Sequence, residues 1–212
     1  MFSDIKRNIE NNFLKLLKES SEFESKRLIR SPRAVGDMVQ DLAEEQLENC
    51  IDKNLLKEFS GSFARRAMAD VAFTDVDDNF YVVDIKTHNL STSFNMPNLT
   101  SVERLSRFYE EDKNNFAVLL VTYDIKDECL EFASVRFVLI EHFSWQCLTI
   151  GALGWGQIQI ANSNKIIERD SSRKDWMLQL CDVLDVFYPK EIAKITSRIE
   201  RFKKIREYWK CK

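Results

Sequence analysis

The chain has 212 residues, 44% of them apolar and 31% charged, with a formal net charge of −3. This fits one domain with a substantial core and a soluble globular composition, which excludes disordered and fibrous classes. Five cysteines (Cys50, Cys129, Cys147, Cys181 and Cys211) form no C-x-x-C pair, and the only histidines are His88 and His142. That pattern argues against a zinc site or a disulfide framework and suits a reducing, cytoplasmic setting.

Phe2, Ile5, Ile9, Phe13 and Leu16 recur at three- or four-residue steps, so 2–19 is expected to be an amphipathic helix. Its interspersed charges make it neither a signal peptide nor a membrane span. A second helix is expected to open at Ser31 and Pro32 and run through Cys50, with Val35, Met38, Val39, Leu42 and Leu47 inward. Asp37, Asp41, Glu44 and Glu45 lie along it, each readable as a simple surface acid. Strands are expected over 68–74 and 80–87, joined by a turn around Asp77, Asp78 and Asn79. A polar loop and a helix over about 99–111 follow, with Glu103 close behind a Thr/Ser start. The apolar run 116–123 has the character of a strand buried on both faces, and 131–143 reads as another strand or strand pair. Three glycines within 151–160 shape a loop into a short strand. The chain is expected to close with a helix over 173–188, a break at Pro189 and a second amphipathic helix. The whole reads as a single domain over 1–212, an α/β (α+β) fold with helices flanking a mixed sheet, with 190–212 as a helical arm. That arm holds nine Lys/Arg against three Glu, which fits a polyanion at one place or a solvated basic face.

The hairpin carries acids where burial is expected. With a turn about Asp77 and Asp78, residues whose numbers sum to about 154 or 155 face one another, so Asp70 lies opposite Asp84. Side chains alternate, so Lys86 shares a face with Asp84, while Val71, Phe73, Val83 and Ile85 point into a core. Opposed carboxylates repel. A divalent cation relieves that repulsion, and Mg²⁺ commonly uses one or two carboxylates with a substrate phosphate. A lysine beside such a site acts electrostatically or in acid–base work, according to its environment. D-x-K alone reads equally as a strand-end ion pair; the opposed Asp70 and the apolar back face make the trio a candidate for phosphoryl chemistry.

Asp70, Asp84, Ile85 and Lys86 resemble the PD-(D/E)xK nuclease motif, with Ala69 where that family usually has proline. The string NMPNLTSVERL, residues 95–105, resembles the P-N-[IL]-T-S-x-x-R-[IL] element of some type II restriction endonucleases that cut palindromic, AT-rich sites. ALGWGQIQI, residues 152–160, resembles a string of the same enzymes, and Ala43, Glu44 and Glu45 have a counterpart there. The resemblance covers about residues 35–185. It implies a restriction-endonuclease-like fold and a homodimeric, Mg²⁺-dependent phosphodiesterase acting on double-stranded DNA at a short palindromic site. By the same resemblance Asp70 and Asp84 ligate the metal, Lys86 positions or deprotonates the attacking water, and Glu44, with Glu45 next, adds an acid from the second helix.

Amide side chains contact adenine bidentately in the major groove. Gln157, Gln159, Asn162 and Asn164 sit in and after the glycine loop, and alternation puts both Gln on one strand face and both Ile on the other. Asn95, Asn98, Thr100 and Ser101 occupy the expected loop and helix start, where amides, hydroxyls or a helix N-terminus hold phosphate, and Arg104 and Arg107 are candidate backbone contacts. Trp155 either stacks on DNA or packs internally, and His88 reads as structural. In the C-terminal helix Ile192, Ile195, Ile199, Phe202, Ile205 and Trp209 form a stripe that packs on its own domain or makes a dimer seam, presenting Lys203, Lys204 and Arg206 to DNA. A structure-selective repair or recombination nuclease and a non-enzymatic DNA-binding module are the competing readings.

Overall fold

The first apolar period forms α1 (Phe2–Glu19), which buries Ile5, Ile9, Phe13 and Leu17. The four-residue step from Phe13 leads to Leu17, leaving Leu16 on the half-buried shoulder. In α2 (Pro32–Gln46) Ser31 is the N-cap, its Oγ accepting from the Ala34 N–H at 3.3 Å, and Pro32 occupies the first turn, where no N–H is needed. The helix ends in a 3₁₀ turn over Leu47–Cys50. Val35, Val39, Leu42, Ala43 and Leu47 are buried; Met38 is half-buried at the edge of the same core. The computed structural model from which these elements are taken describes residues 1–20, 23, 31–61, 68–95, 97–127, 129–161 and 166–212.

In chain order the strands are β1 (Leu56–Ser60), β2 (Val71–Asp75), β3 (Phe80–Asn89), β4 (Asn98–Ser101), β5 (Asn114–Lys126), β6 (Cys129–Leu139), β7 (Leu148–Gly151) and β8 (Gln157–Ile160), with α3 (Val102–Phe108) between β4 and β5 and α4 (Arg173–Lys210) after β8. Five of them make a mixed central sheet in the order β1-β2-β3-β5-β6, in which only β3 and β5 run parallel. That parallel pair needs a long crossover, which passes through β4 and α3. One face of the sheet, including Val71, Phe73, Tyr81, Val83, Ile85, Leu119, Val121 and Phe137, shares a core with α1 and α2. The other face of β5 (Phe116, Val118, Leu120) is buried too, as its unbroken apolar run requires. The remaining strands form a small antiparallel sheet in the order β4-β8-β7.

Several expected boundaries shift. β2 begins at Val71, and 68–70 form a bend, because the pairing with β3 starts at Val71↔Val83. Residues 98–101 are strand rather than helix, recruited by pairing with β8, so α3 is shorter than the 99–111 expected. Pro189 does not break α4, which continues through it. An interior proline removes one backbone hydrogen bond and costs about 3 kcal/mol, and in this 38-residue helix that local loss is absorbed. The described chain forms two compact units, Met1–Arg169 and Asp170–Lys212, so the division falls ahead of α4 and not at 190. No described helix is long and apolar enough to cross a membrane.

Candidate functional site

The β2–β3 turn is built by Asp75, which is fully buried. Its Oδ1 accepts from the backbone N–H groups of Asp77 and Asn79, each at 2.9 Å, and its Oδ2 accepts from the Asn79 amide at 2.9 Å and the Tyr81 hydroxyl at 3.2 Å. Asp78 takes φ of 62°, a left-handed conformation that Asp tolerates better than most residues. This turn fixes the register: Val71↔Val83, Ala72↔Val82 and Phe73↔Tyr81 all sum to 154, the lower of the two sums expected. Asp70 lies one step before the strand, its N–H donating to the Val83 carbonyl at 2.9 Å, and so remains level with Asp84.

Asp70, Asp84 and Lys86 come together at this point. Asp70 Oδ2 accepts from the Ile85 N–H at 2.7 Å, tying the first acid to the second strand. Lys86 Nζ donates to Asp84 Oδ1 at 2.7 Å and to the Ile85 carbonyl at 3.3 Å. Asp84 Oδ2 is buried with no hydrogen-bond partner. Burial pushes the Asp84 carboxyl up to about 7, against the opposing pull of the Lys86 charge and hydrogen bond; the Asp70 charge adds to the rise. The Asp70 carboxyl is also raised, first by burial, with the Ile85 N–H and Lys86 pulling it down and Glu44 pushing it up.

That last influence distinguishes the two helix acids. Glu44 is half-buried, and its charge acts on Asp70, whereas Glu45 is exposed. Gln40, one turn earlier, donates to Glu44 Oε1 at 3.0 Å and orients it. Gly61, just after β1, sets the height of this part of α2: a Cβ there would lie 2.1 Å from the Glu44 carbonyl oxygen. Nothing local in the sequence marks Gly61 for this role, because the contact is tertiary.

Among the described residues no group of three or more His, Cys, Asp or Glu is arranged to hold a metal. Two carboxylates, one with an unpartnered buried oxygen, nevertheless fit Mg²⁺, which commonly completes its octahedron with water and substrate phosphate. An orphaned buried carboxylate oxygen is costly, and a bound cation relieves that cost.

The small sheet presents the amide residues. Gln157 and Gln159 share one face of β8, while Ile158 and Ile160 are buried on the other. Gln159 pairs in register with Asn98 on β4, and its Nε2 donates to Asn98 Oδ1 at 2.7 Å. On the other side Gly151 leaves room for the Gln159 amide, whose atoms lie 2.7–2.8 Å from where a Cβ would stand. Asn95 is exposed beside a cavity of about 300 Å³ that is also lined by His88 and Phe94. His88 stacks on Phe94 with ring centroids 3.7 Å apart, a packing role as expected.

Thr100 does not face outward: it is buried, its Oγ1 has no partner, and the register shift between Asn98 and Thr100 breaks the alternation of β4 and turns it inward opposite Ile158. Ser101 caps α3, accepting from the Arg104 N–H at 3.3 Å. Arg104 and Arg107 are exposed; Arg107 pairs with Glu103 at 2.8 Å and lies 5.8 Å from the Trp155 ring centre. Asn162 and Asn164 fall outside the described residues. The chain matches no protein-family model, and no curated protein matches its sequence.

Proposed function

We propose that this protein is a Mg²⁺-dependent endonuclease that hydrolyses double-stranded DNA at a short, palindromic site, with a restriction-endonuclease-like fold and a homodimeric assembly in the cytoplasm. The observation that carries the reading is the meeting of Asp70, Asp84 and Lys86 at one end of a hairpin, with Asp84 Oδ2 buried and unpartnered. Structural ion pairs normally satisfy both carboxylate oxygens, and this one does not. The five free thiols suit the reducing compartment.

Asp70 and Asp84 would hold the Mg²⁺, with Glu44 as the acid that α2 adds. When bound, the cation would supply Lewis-acid chemistry at the phosphate and favour a nucleophilic water at neutral pH. Lys86 orients or deprotonates that water and offsets negative charge at the scissile phosphate. Ser101, Arg104 and Arg107 take backbone phosphates, and Asn95, Asn98, Gln157 and Gln159 face base edges.

The test is conversion of supercoiled plasmid. Wild type with Mg²⁺ gives discrete linear products, EDTA stops the reaction, and Lys86→Ala lowers the rate about 10²- to 10⁴-fold while still folding. Unchanged cleavage by Lys86→Ala would remove Lys86 from the chemistry. Cutting confined to flaps, nicks or ends would favour a structure-selective nuclease.

A further inference from the structure

Helix α4 carries an apolar seam open to solvent. Ile192, Ile195, Ile199, Phe202 and Trp209 are 64%, 50%, 53%, 66% and 65% exposed. Their spacing follows the three- and four-residue steps of a heptad, with Arg206 completing the pattern between Phe202 and Trp209. Extended toward the N-terminus, the same steps pass through Tyr188, Asp185, Cys181 and Leu178. Isolated exposed apolar residues are normal, but a continuous stripe along one helix marks an interaction surface.

The charges along α4 say what covers the stripe. From its start to Tyr188 the helix has three acids, Asp175, Asp182 and Asp185, against Arg173 and Lys174 at its first turn, whereas 190–212 holds nine Lys/Arg and three Glu. A helix with a weakly acidic half and a strongly basic half repels itself least when reversed, because each basic half then avoids its own copy. We infer that α4 pairs with α4 of a second copy of this chain as an antiparallel two-helix seam. Ile192 of one copy layers against Ile195 of the other. In that register Asp182 meets Lys203 and Glu191 meets Arg198, each twice by symmetry. The two charged residues inside the seam, Asp185 and Arg206, fall within about one turn of each other across it. A parallel pair would instead set the two strongly basic halves against each other, which is repulsive. The assignment does not rest on the nuclease reading and adds to it by naming the surface and orientation of the pairing.

Sedimentation equilibrium of the full chain tests this, with circular dichroism confirming that each variant folds. Wild type is expected to be a dimer. Ile199→Asp combined with Phe202→Asp, at exposed positions, weakens the dimer at least about 30-fold. Asp182→Lys and Lys203→Asp each weaken it about three- to tenfold, and the double swap restores it. A monomeric wild type, a dimer indifferent to Ile199→Asp/Phe202→Asp, or a swap that fails to restore pairing would each overturn the proposal. Loss of DNA binding by these variants with wild type monomeric would assign the face to DNA instead.

Discussion

Asp84 keeps one oxygen on Lys86 and the other in a dry, unpartnered place, so its ionised form is disfavoured in the fold. Its carboxyl stands near 7 against an ordinary value of 3.8, so the folded state holds the proton more tightly than the unfolded one. The group therefore favours the fold fully below about pH 4. That contribution is lost as pH rises through 7, and above 7 the buried charge opposes folding by an amount on the order of a few kcal/mol. In the metal-free protein, chemical denaturation between pH 5 and 8 should reveal this loss, and Asp84→Asn should flatten it and be the more stable form at pH 8. A wild type and Asp84→Asn with parallel pH profiles would mean that Asp84 is not desolvated. On the proposed reading Mg²⁺ competes with the same proton, so the cation should raise Tm more at pH 8 than at pH 6, and the rise should vanish in Asp84→Asn. Equal shifts in both proteins would place cation binding elsewhere.

Two glycines test how the elements hold the site. Gly61 lies against the Glu44 carbonyl with no room for a Cβ, while a Cβ at Gly36 would sit 3.4 Å from Thr87 Oγ1. Gly61→Ala should push α2 away, cost about 1–3 kcal/mol by denaturant melting and reduce cleavage. Gly36→Ala, inside the helix, should be neutral or stabilising by up to about 1 kcal/mol; the reverse order would contradict this packing. On β4 and β8, Gln159 donates to the Asn98 carbonyl, which leaves the Gln159 carbonyl as an acceptor and the Asn98 amide as a donor, and on the proposed reading these two meet a base edge. That combination suits adenine N6 and N7 and opposes the paired acceptors of guanine. Asn98→Ala and Gln159→Ala should therefore relax discrimination at the same A·T position, by about ten- to a hundredfold in relative cleavage rates measured on single-substitution sites. Relaxation at two different positions would show that the two amides act separately.

Across the whole molecule, what the sequence revealed was what local chemistry decides. Turn residues and alternation gave the hairpin register to within one residue, which the pairing resolves to a sum of 154, and with it the opposition of Asp70 and Asp84 and the shared face of Asp84 and Lys86. The cap at Ser31 and the double-sided burial of β5 were equally visible. Elements that exist through partners were not. β1 is an edge strand of mixed polarity, β7 has four residues, and β4 becomes a strand only by pairing with β8, which turns Thr100 inward and couples Asn98 to Gln159. Pro189 read as a stop because local propensity does not weigh the helix on both sides. Glu44 separated from Glu45 only once α2 was docked over the hairpin. The central claim is that this hairpin cuts DNA at a defined site, and digestion of a phage genome with Mg²⁺, followed by sequencing of the fragment ends, tests it most directly. The account predicts a discrete set of ends sharing one short palindrome that contains an A·T pair, and none from Lys86→Ala; random ends, or intact DNA from the folded wild-type protein, would contradict it.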